Sequence, residues 1–195
     1  MSNIINIFEV DCDTIQCPDG PLGALSVQTE NCNDVNLSEV NSIIWIHPTL
    51  GLGIDNWGSV LTPADFNIDN SDTTDAAQKQ IFVTGGVAEP EETEVTLNGF
   101  QTVTLNKTFT LSAEFYSDGS EETYNYLRKL ECNKVKPNFW FTTMGGKIFG
   151  RDGGITPSKF SLSKVLEQGE ESVEKWVINI QWKALTSPDR YDYPL

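Results

Sequence analysis

The chain has few of the side chains from which catalytic sites are built. Its 195 residues contain one histidine, His47, which lies in an Ile-rich segment directly before a proline. A serine or cysteine nucleophile would have to use this residue as its base. There is no Gly-x-Ser-x-Gly elbow, and no lysine follows the glycines around Trp57 as it would in a phosphate loop. The glycines of GGKIFGRDGG lie between predicted strands, so we expect them to form hairpin turns. With 28 acidic residues a carboxylate pair for glycoside hydrolysis stays open, but no spacing selects one. The sequence therefore predicts a protein that is not an enzyme and needs no cofactor.

Metal-binding and disulfide patterns are also missing. The closest cysteine pair is Cys12 and Cys17, which lack the shorter spacing of common zinc sites, and Cys32 and Cys132 stand alone. Three aspartates, Asp69, Asp72 and Asp75, recur at every third residue, which does not match a calcium-binding loop. We therefore expect free thiols and no metal site.

Long apolar runs are absent as well. No stretch approaches the roughly 20 apolar residues that a membrane-spanning helix needs. The opening MSNIINIFEVDCD has neither the basic region nor the apolar core of a secretion signal. We therefore expect no membrane partner.

Basic residues are nearly absent from the first half of the chain. Residues 1–100 hold 16 acids and a single base, Lys79, whereas residues 101–195 hold 12 acids and 12 bases; together these are the 28 acids and 13 bases of the chain. The net charge of −15 therefore lies in residues 1–100. This distribution argues against nucleic-acid binding, which needs clustered Lys and Arg. An acidic wall that repels DNA and a plainly solvated surface both remain open.

Strict alternation in the second half predicts β-strands, because successive strand residues point to opposite faces of a sheet. One long strand is expected over residues 102–116 and another over 176–184. Their predicted buried faces are Val103, Leu105, Phe109, Leu111, Ala113 and Phe115 in the first, and Trp176, Ile178, Ile180, Trp182 and Ala184 in the second. Shorter strands are expected near residues 43–46, 80–84, 94–97, 139–143, 148–149 and 160–166.

One short helix is expected between the long strand and those that follow it. Residues 120–132 carry an apolar stripe at helical spacing, Ser117, Asp118 or Ser120 can cap the helix, and two glutamates suit its first turn. The predicted fold is mainly β, with sandwich-like or barrel-like antiparallel sheets and this helix beside them.

The chain divides by composition into an acidic, loop-rich part with short strands (1–92) and a β-rich part with the helix (93–195), within one continuous domain. The charged segment 87–94 is predicted to be a linker between the two parts. The polar tail TSPDRYDYPL is predicted to be an extended arm.

The order of elements over residues 93–184, a long alternating strand, a short helix, hairpins and a final strand, resembles that of the tail-tube proteins of bacteriophages and the related inner-tube proteins of contractile injection systems. The resemblance implies a β-sandwich subunit of the virion, assembled in the host cytoplasm. Such subunits form hexameric rings that stack into a tube, contact other virion proteins and let DNA pass without specific binding.

If that resemblance holds, part of the acidic half would face the lumen. The candidate lumen-facing acids are Asp55, Asp65, Asp69, Asp72, Asp75, Glu91, Glu92 and Glu94. Two alternatives stay open. One is another β-rich virion protein, such as a capsid decoration protein or a connector. The other is a module that binds carbohydrate or a host surface through exposed tryptophans. Trp176 and Trp182 have core parity, so Trp140 is the tryptophan that looks free for such a role. Packing of Trp140 under the helix stays equally open.

Overall fold

The computed structural model describes residues 39–97, 101–116, 120–132, 135–165 and 174–194. The first 38 residues of the acidic part lie outside these ranges, and with them Cys12, Cys17 and Cys32. The sequence predicts short strands near Ile5–Val10 and Leu25–Thr29 there, the first of them alternatively an arm lying on a neighbouring chain. The pair Asn98–Gly99, a sequence that predicts a tight hairpin turn, also lies outside them, between two strands that the structure does describe.

The described residues form nine antiparallel strands and one α-helix, so the prediction of a mainly β fold with one short helix is confirmed. The elements are β1 (Val40–Ile46), β2 (Lys79–Val87), β3 (Glu91–Leu97), β4 (Gln101–Tyr116), α1 (Glu121–Cys132), β5 (Asn138–Thr143), β6 (Lys147–Gly150), β7 (Lys159–Val165), β8 (Lys175–Ala184) and β9 (Asp189–Asp192). One sheet contains all nine strands: eight of them lie in the order β7-β8-β4-β2-β1-β5-β6-β9, and β3 pairs with β4 beside this path.

The sheet curls around a core of aromatic and branched side chains. Trp182 of β8 packs on Phe109 of β4 with ring centroids 5.2 Å apart, and it also contacts Phe139 of β5 at 5.5 Å. Three strands separate β8 from β5 in the sheet, so this contact requires strong curvature. The predicted alternation in β8 is confirmed, because its two tryptophans and two isoleucines are all buried.

Helix α1 covers one side of this core. Its buried residues Leu127 and Leu130 join the core, and Tyr124 lies 6.1 Å from the Trp176 ring. The Ser120 hydroxyl accepts a hydrogen bond from the Thr123 N–H, so Ser120 acts as one of the predicted caps.

A second apolar cluster lies on the other side of the sheet. Ile44 and Ile148 pack there with Trp140, and the segment between β1 and β2 covers them with Ile54 and Leu61. Trp140 is completely buried, and its Nε1–H donates to the Arg151 carbonyl. The prediction that Trp140 is available at the surface is therefore wrong, because the segment 47–78 folds over the face to which it points.

Two further predictions are wrong. The expected linker at residues 87–94 contains the start of β3, which finds hydrogen-bond partners along the N-terminal half of β4. The expected C-terminal arm contains β9, which extends the sheet by pairing with β6. Tyr191 and Tyr193 anchor this tail through edge contacts with Trp57 and Phe66. The sheet joins strands from both sides of residue 92, since β2 pairs with β4 and β1 with β5.

Candidate interaction surfaces

The acidic segment between β1 and β2 is a folded cover of the sheet, and several of its acids are engaged within it. Asp65 is buried, with 7% of its surface exposed. Its carboxylate accepts hydrogen bonds from the Asn56 amide and from the Thr62 hydroxyl and N–H. The Asn56 bond and then the Thr62 bonds hold the pKa of Asp65 below its ordinary value. Asp65 therefore stabilises a short turn, and its carboxylate is not available at the surface as a lumen-facing acid would be.

Asp69 and Asp72 stabilise the next turns in the same way. The Asp69 carboxylate accepts from the hydroxyl and N–H of Ser71. The Asp72 carboxylate accepts four bonds, from the N–H and hydroxyl of Thr74 and from the N–H groups of Ala76 and Ala77. These bonds hold the pKa of both carboxyls below the ordinary value. An Asp followed two residues later by Ser or Thr is a known turn pattern, so the sequence contained this signal.

Lys79, the only base of the acidic half, lies beneath these turns. Its side chain is 6% exposed, and its Nζ donates to the backbone carbonyls of Asp69 and Asp72. A buried ammonium needs such acceptors, since burial without them is costly. Because Lys79 is the first residue of β2, these bonds attach the acidic segment to that strand.

Six of the eight candidate acids are exposed. One of them, Asp69, is engaged with Ser71, and the other five lie on two different elements. Asp55 and Asp75 belong to the segment over β1 and β5, whereas Glu91, Glu92 and Glu94 belong to β3. Glu92 forms an ion pair of 2.6 Å with Lys107. The structure thus places Asp65, Asp69 and Asp72 in turns. The remaining candidates form two separate exposed groups, one with Asp55 and Asp75 and the other with the three glutamates of β3.

The hairpin of β3 and the N-terminal half of β4 is the second surface. The sequence predicted its two strands, but it did not predict that they project beyond the rest of the sheet. At Lys107, β4 pairs on both sides, with Glu92 of β3 and Ala184 of β8. Before Lys107, only β3 accompanies β4 among the described residues, so the hairpin extends beyond the body of the sheet. Both outer edges of this hairpin therefore present unpaired backbone groups.

The hairpin also exposes apolar side chains. Thr93 pairs with Asn106 and Glu94 with Thr104, so Leu105 is a bulge residue opposite no partner. Leu105 is 47% exposed. The predicted burial of Leu105 is therefore wrong, and Val103 is only half-buried. The reason is that β8 ends before it reaches them and the bulge interrupts the alternation.

The described residues offer little support for a metal site, a membrane-spanning helix or an exposed aromatic binding surface. No group of three His, Cys, Asp or Glu side chains among the described residues is arranged to hold a metal ion. The one helix in these ranges is too short and too polar to cross a bilayer. The five tryptophans are buried, apart from Trp57, which is half-buried.

Comparison with known proteins adds no assignment. The chain matches no protein-family profile, no curated protein and no solved structure.

Proposed function

We propose that this protein is a non-catalytic structural subunit of a bacteriophage virion, most specifically a tail-tube subunit. Copies of the chain associate side by side into hexameric rings, and the rings stack into a tube. The rings contact other virion proteins, and assembly takes place in the host cytoplasm before the tube becomes part of the virion. The acidic surface lets DNA pass without specific binding, because like charges repel the phosphates.

The observation that carries this proposal is the projecting hairpin. An isolated two-stranded hairpin is marginally stable in water, and open edges invite pairing with another chain. Here β3 has one partner, and β4 has only β3 before Lys107 among the described residues. A second copy that pairs with either edge would complete the backbone hydrogen bonds and cover Leu105. Repetition of such a head-to-tail contact generates a ring when the rotation closes.

The exposed acids support the proposed acidic lumen, but with fewer residues than the sequence suggested. Asp65, Asp69 and Asp72 are committed to turns, so the candidates for the inner wall are Asp55, Asp75 and the three glutamates of β3. Lys107 neutralises part of the charge at Glu92.

One alternative is another β-rich virion protein, such as a decoration protein or a connector. Such a protein would associate through the same open edges, but its assembly would have a different symmetry. The alternative of a carbohydrate-binding module has less support, because it needs a row of exposed aromatic side chains. Trp140, its main candidate, is buried.

A pair of charge substitutions tests the role of the hairpin. Leu105→Lys places an ammonium on the hairpin, and Met144→Lys places one on an equally apolar, 56% exposed residue in the β5–β6 turn. We expect Leu105→Lys to abolish assembly in size-exclusion chromatography with light scattering, and Met144→Lys to assemble normally. Both should unfold within about 0.5 kcal/mol of the wild type, since both sites are exposed. Normal assembly of Leu105→Lys would contradict the proposal.

A further inference from the structure

An aromatic cleft opens where β2 and β5 end, apart from the acidic segment and from the edges of the hairpin. Its volume is about 410 Å³, and Gly85, Gly86 and Val87 form part of its wall. Clefts of this size accommodate small organic molecules. None of the residues that line the cleft belongs to β3 or to the part of β4 before Lys107, which the proposed ring contacts use.

Four aromatic rings dominate the remaining wall. Phe109 and Trp182 are stacked with an interplanar angle of 8°, and Phe141 and Phe149 are stacked with an angle of 4°. The two pairs meet at Phe141 and Trp182, whose centroids are 6.1 Å apart. Such a wall favours a flat ring, which can pack against ring faces or edges.

Two polar groups at this cleft lack a partner. Thr143 and Trp182 both line the cleft and are at most 5% exposed. Neither the Thr143 hydroxyl nor the Trp182 Nε1–H has a hydrogen-bond partner within the described part of the chain. Buried polar groups without partners are rare in folded proteins. An indole N–H can only donate and a hydroxyl can donate or accept, so each of these groups can donate a hydrogen bond to an oxygen acceptor.

The charge at the cleft limits the ligand further. Glu39 is the one ionisable side chain among the residues that line it, and it is exposed at the rim. A carboxylate there repels anions, and the apolar wall disfavours any buried charge. We propose that this cleft binds a small, neutral, aromatic ligand that carries a carbonyl or similar acceptor oxygen.

Prodan, a neutral naphthyl ketone whose emission shifts to the blue in apolar surroundings, is a suitable probe for the full chain. We expect saturable binding of one Prodan per chain with a blue shift. The anionic naphthalene sulfonate ANS should bind at least about tenfold more weakly because of Glu39. Absence of a saturable Prodan signal would overturn the proposal, and equal affinity for ANS would overturn the selection for neutral ligands.

The adjacent threonines of β5 provide a matched pair of variants. Thr143→Val removes the unpartnered hydroxyl at constant shape, and we expect about fivefold to tenfold weaker Prodan binding without loss of stability. Thr142 lies on the other face and is hydrogen-bonded to Ser42 and Asn41. Thr142→Val should therefore lower stability and leave Prodan affinity unchanged.

Thr143→Ser keeps the hydroxyl and should retain Prodan affinity within about twofold. If Thr143→Val folds poorly, the serine variant and Thr142→Val still separate the role of the hydroxyl from general packing. Equal affinities in Thr143→Val and Thr142→Val would show that Prodan binds elsewhere on the chain and would overturn the proposal.

Discussion

Replacing Lys79 with methionine is the sharpest test of how the acidic segment is attached to the sheet. Methionine preserves the length and apolar volume of the side chain but removes both bonds that the ammonium donates to the carbonyls of Asp69 and Asp72. The residue is almost fully buried, so water cannot replace these bonds without opening the segment.

The magnitude follows from the two bonds. Hydrogen bonds to a charged group contribute about 1.5–3 kcal/mol each, and two carbonyls lose their donor. The cost of burying the ammonium disappears in the variant and offsets part of this loss, which leaves about 2–3 kcal/mol. For a chain of this size the Tm changes by about 2–4 °C per kcal/mol, so we expect Lys79→Met to unfold about 4–12 °C below the wild type.

Thermal unfolding followed by circular dichroism measures this effect. Lys159→Met removes the same charge from an exposed position on β7 and serves as the control. Because surface substitutions change stability by about 0.5 kcal/mol or less, the Tm of Lys159→Met should stay within about 2 °C of the wild type. A Lys79→Met protein that melted together with this control would refute the role of Lys79 described above.

Two further predictions concern pH and backbone spacing. Because the folded pKa values of four described aspartates are held below 3.8, their stabilising contribution is present at neutral pH and is lost as the pH falls below that value. The Tm should therefore decrease between pH 5 and pH 2, and Asp72→Asn should flatten that decrease; an unchanged slope in the variant would contradict the assignment. Gly85→Ala should cost about 1–3 kcal/mol in urea unfolding, because its Cβ would lie 2.5 Å from the Ala113 Cα. Gly86→Ala, whose Cβ meets no atom within 4 Å, should stay within about 0.5 kcal/mol of the wild type.

The sequence predicts elements well where the pattern is local. The alternation of β8 appears in its burial, because β4 runs along its whole length and β7 along residues 175–181. The same reasoning fails at Leu105, where burial depends on how far β8 extends. β8 ends at Ala184, which is distant from Leu105 in the sequence, so the residues around Leu105 cannot predict where its neighbouring strand stops.

The candidate surfaces show the same limit. The parity of Trp140 correctly placed it on the face opposite Phe139 and Phe141, but the segment that covers this face is distant in the sequence. The acids were identified by composition, which cannot distinguish a carboxylate that accepts four hydrogen bonds, such as Asp72, from one in solvent, such as Asp55. The aromatic cleft joins residues from five strands and has no local pattern at all.

Electron microscopy of the purified full-length protein tests the central proposal most directly. The proposal predicts rings or tubes with a sixfold axis, in which a three-dimensional map places the β3–β4 hairpin at a contact between subunits and Asp55 or Asp75 on the inner wall. A protein that remains monomeric both in negative stain and in solution at the same concentration would contradict it.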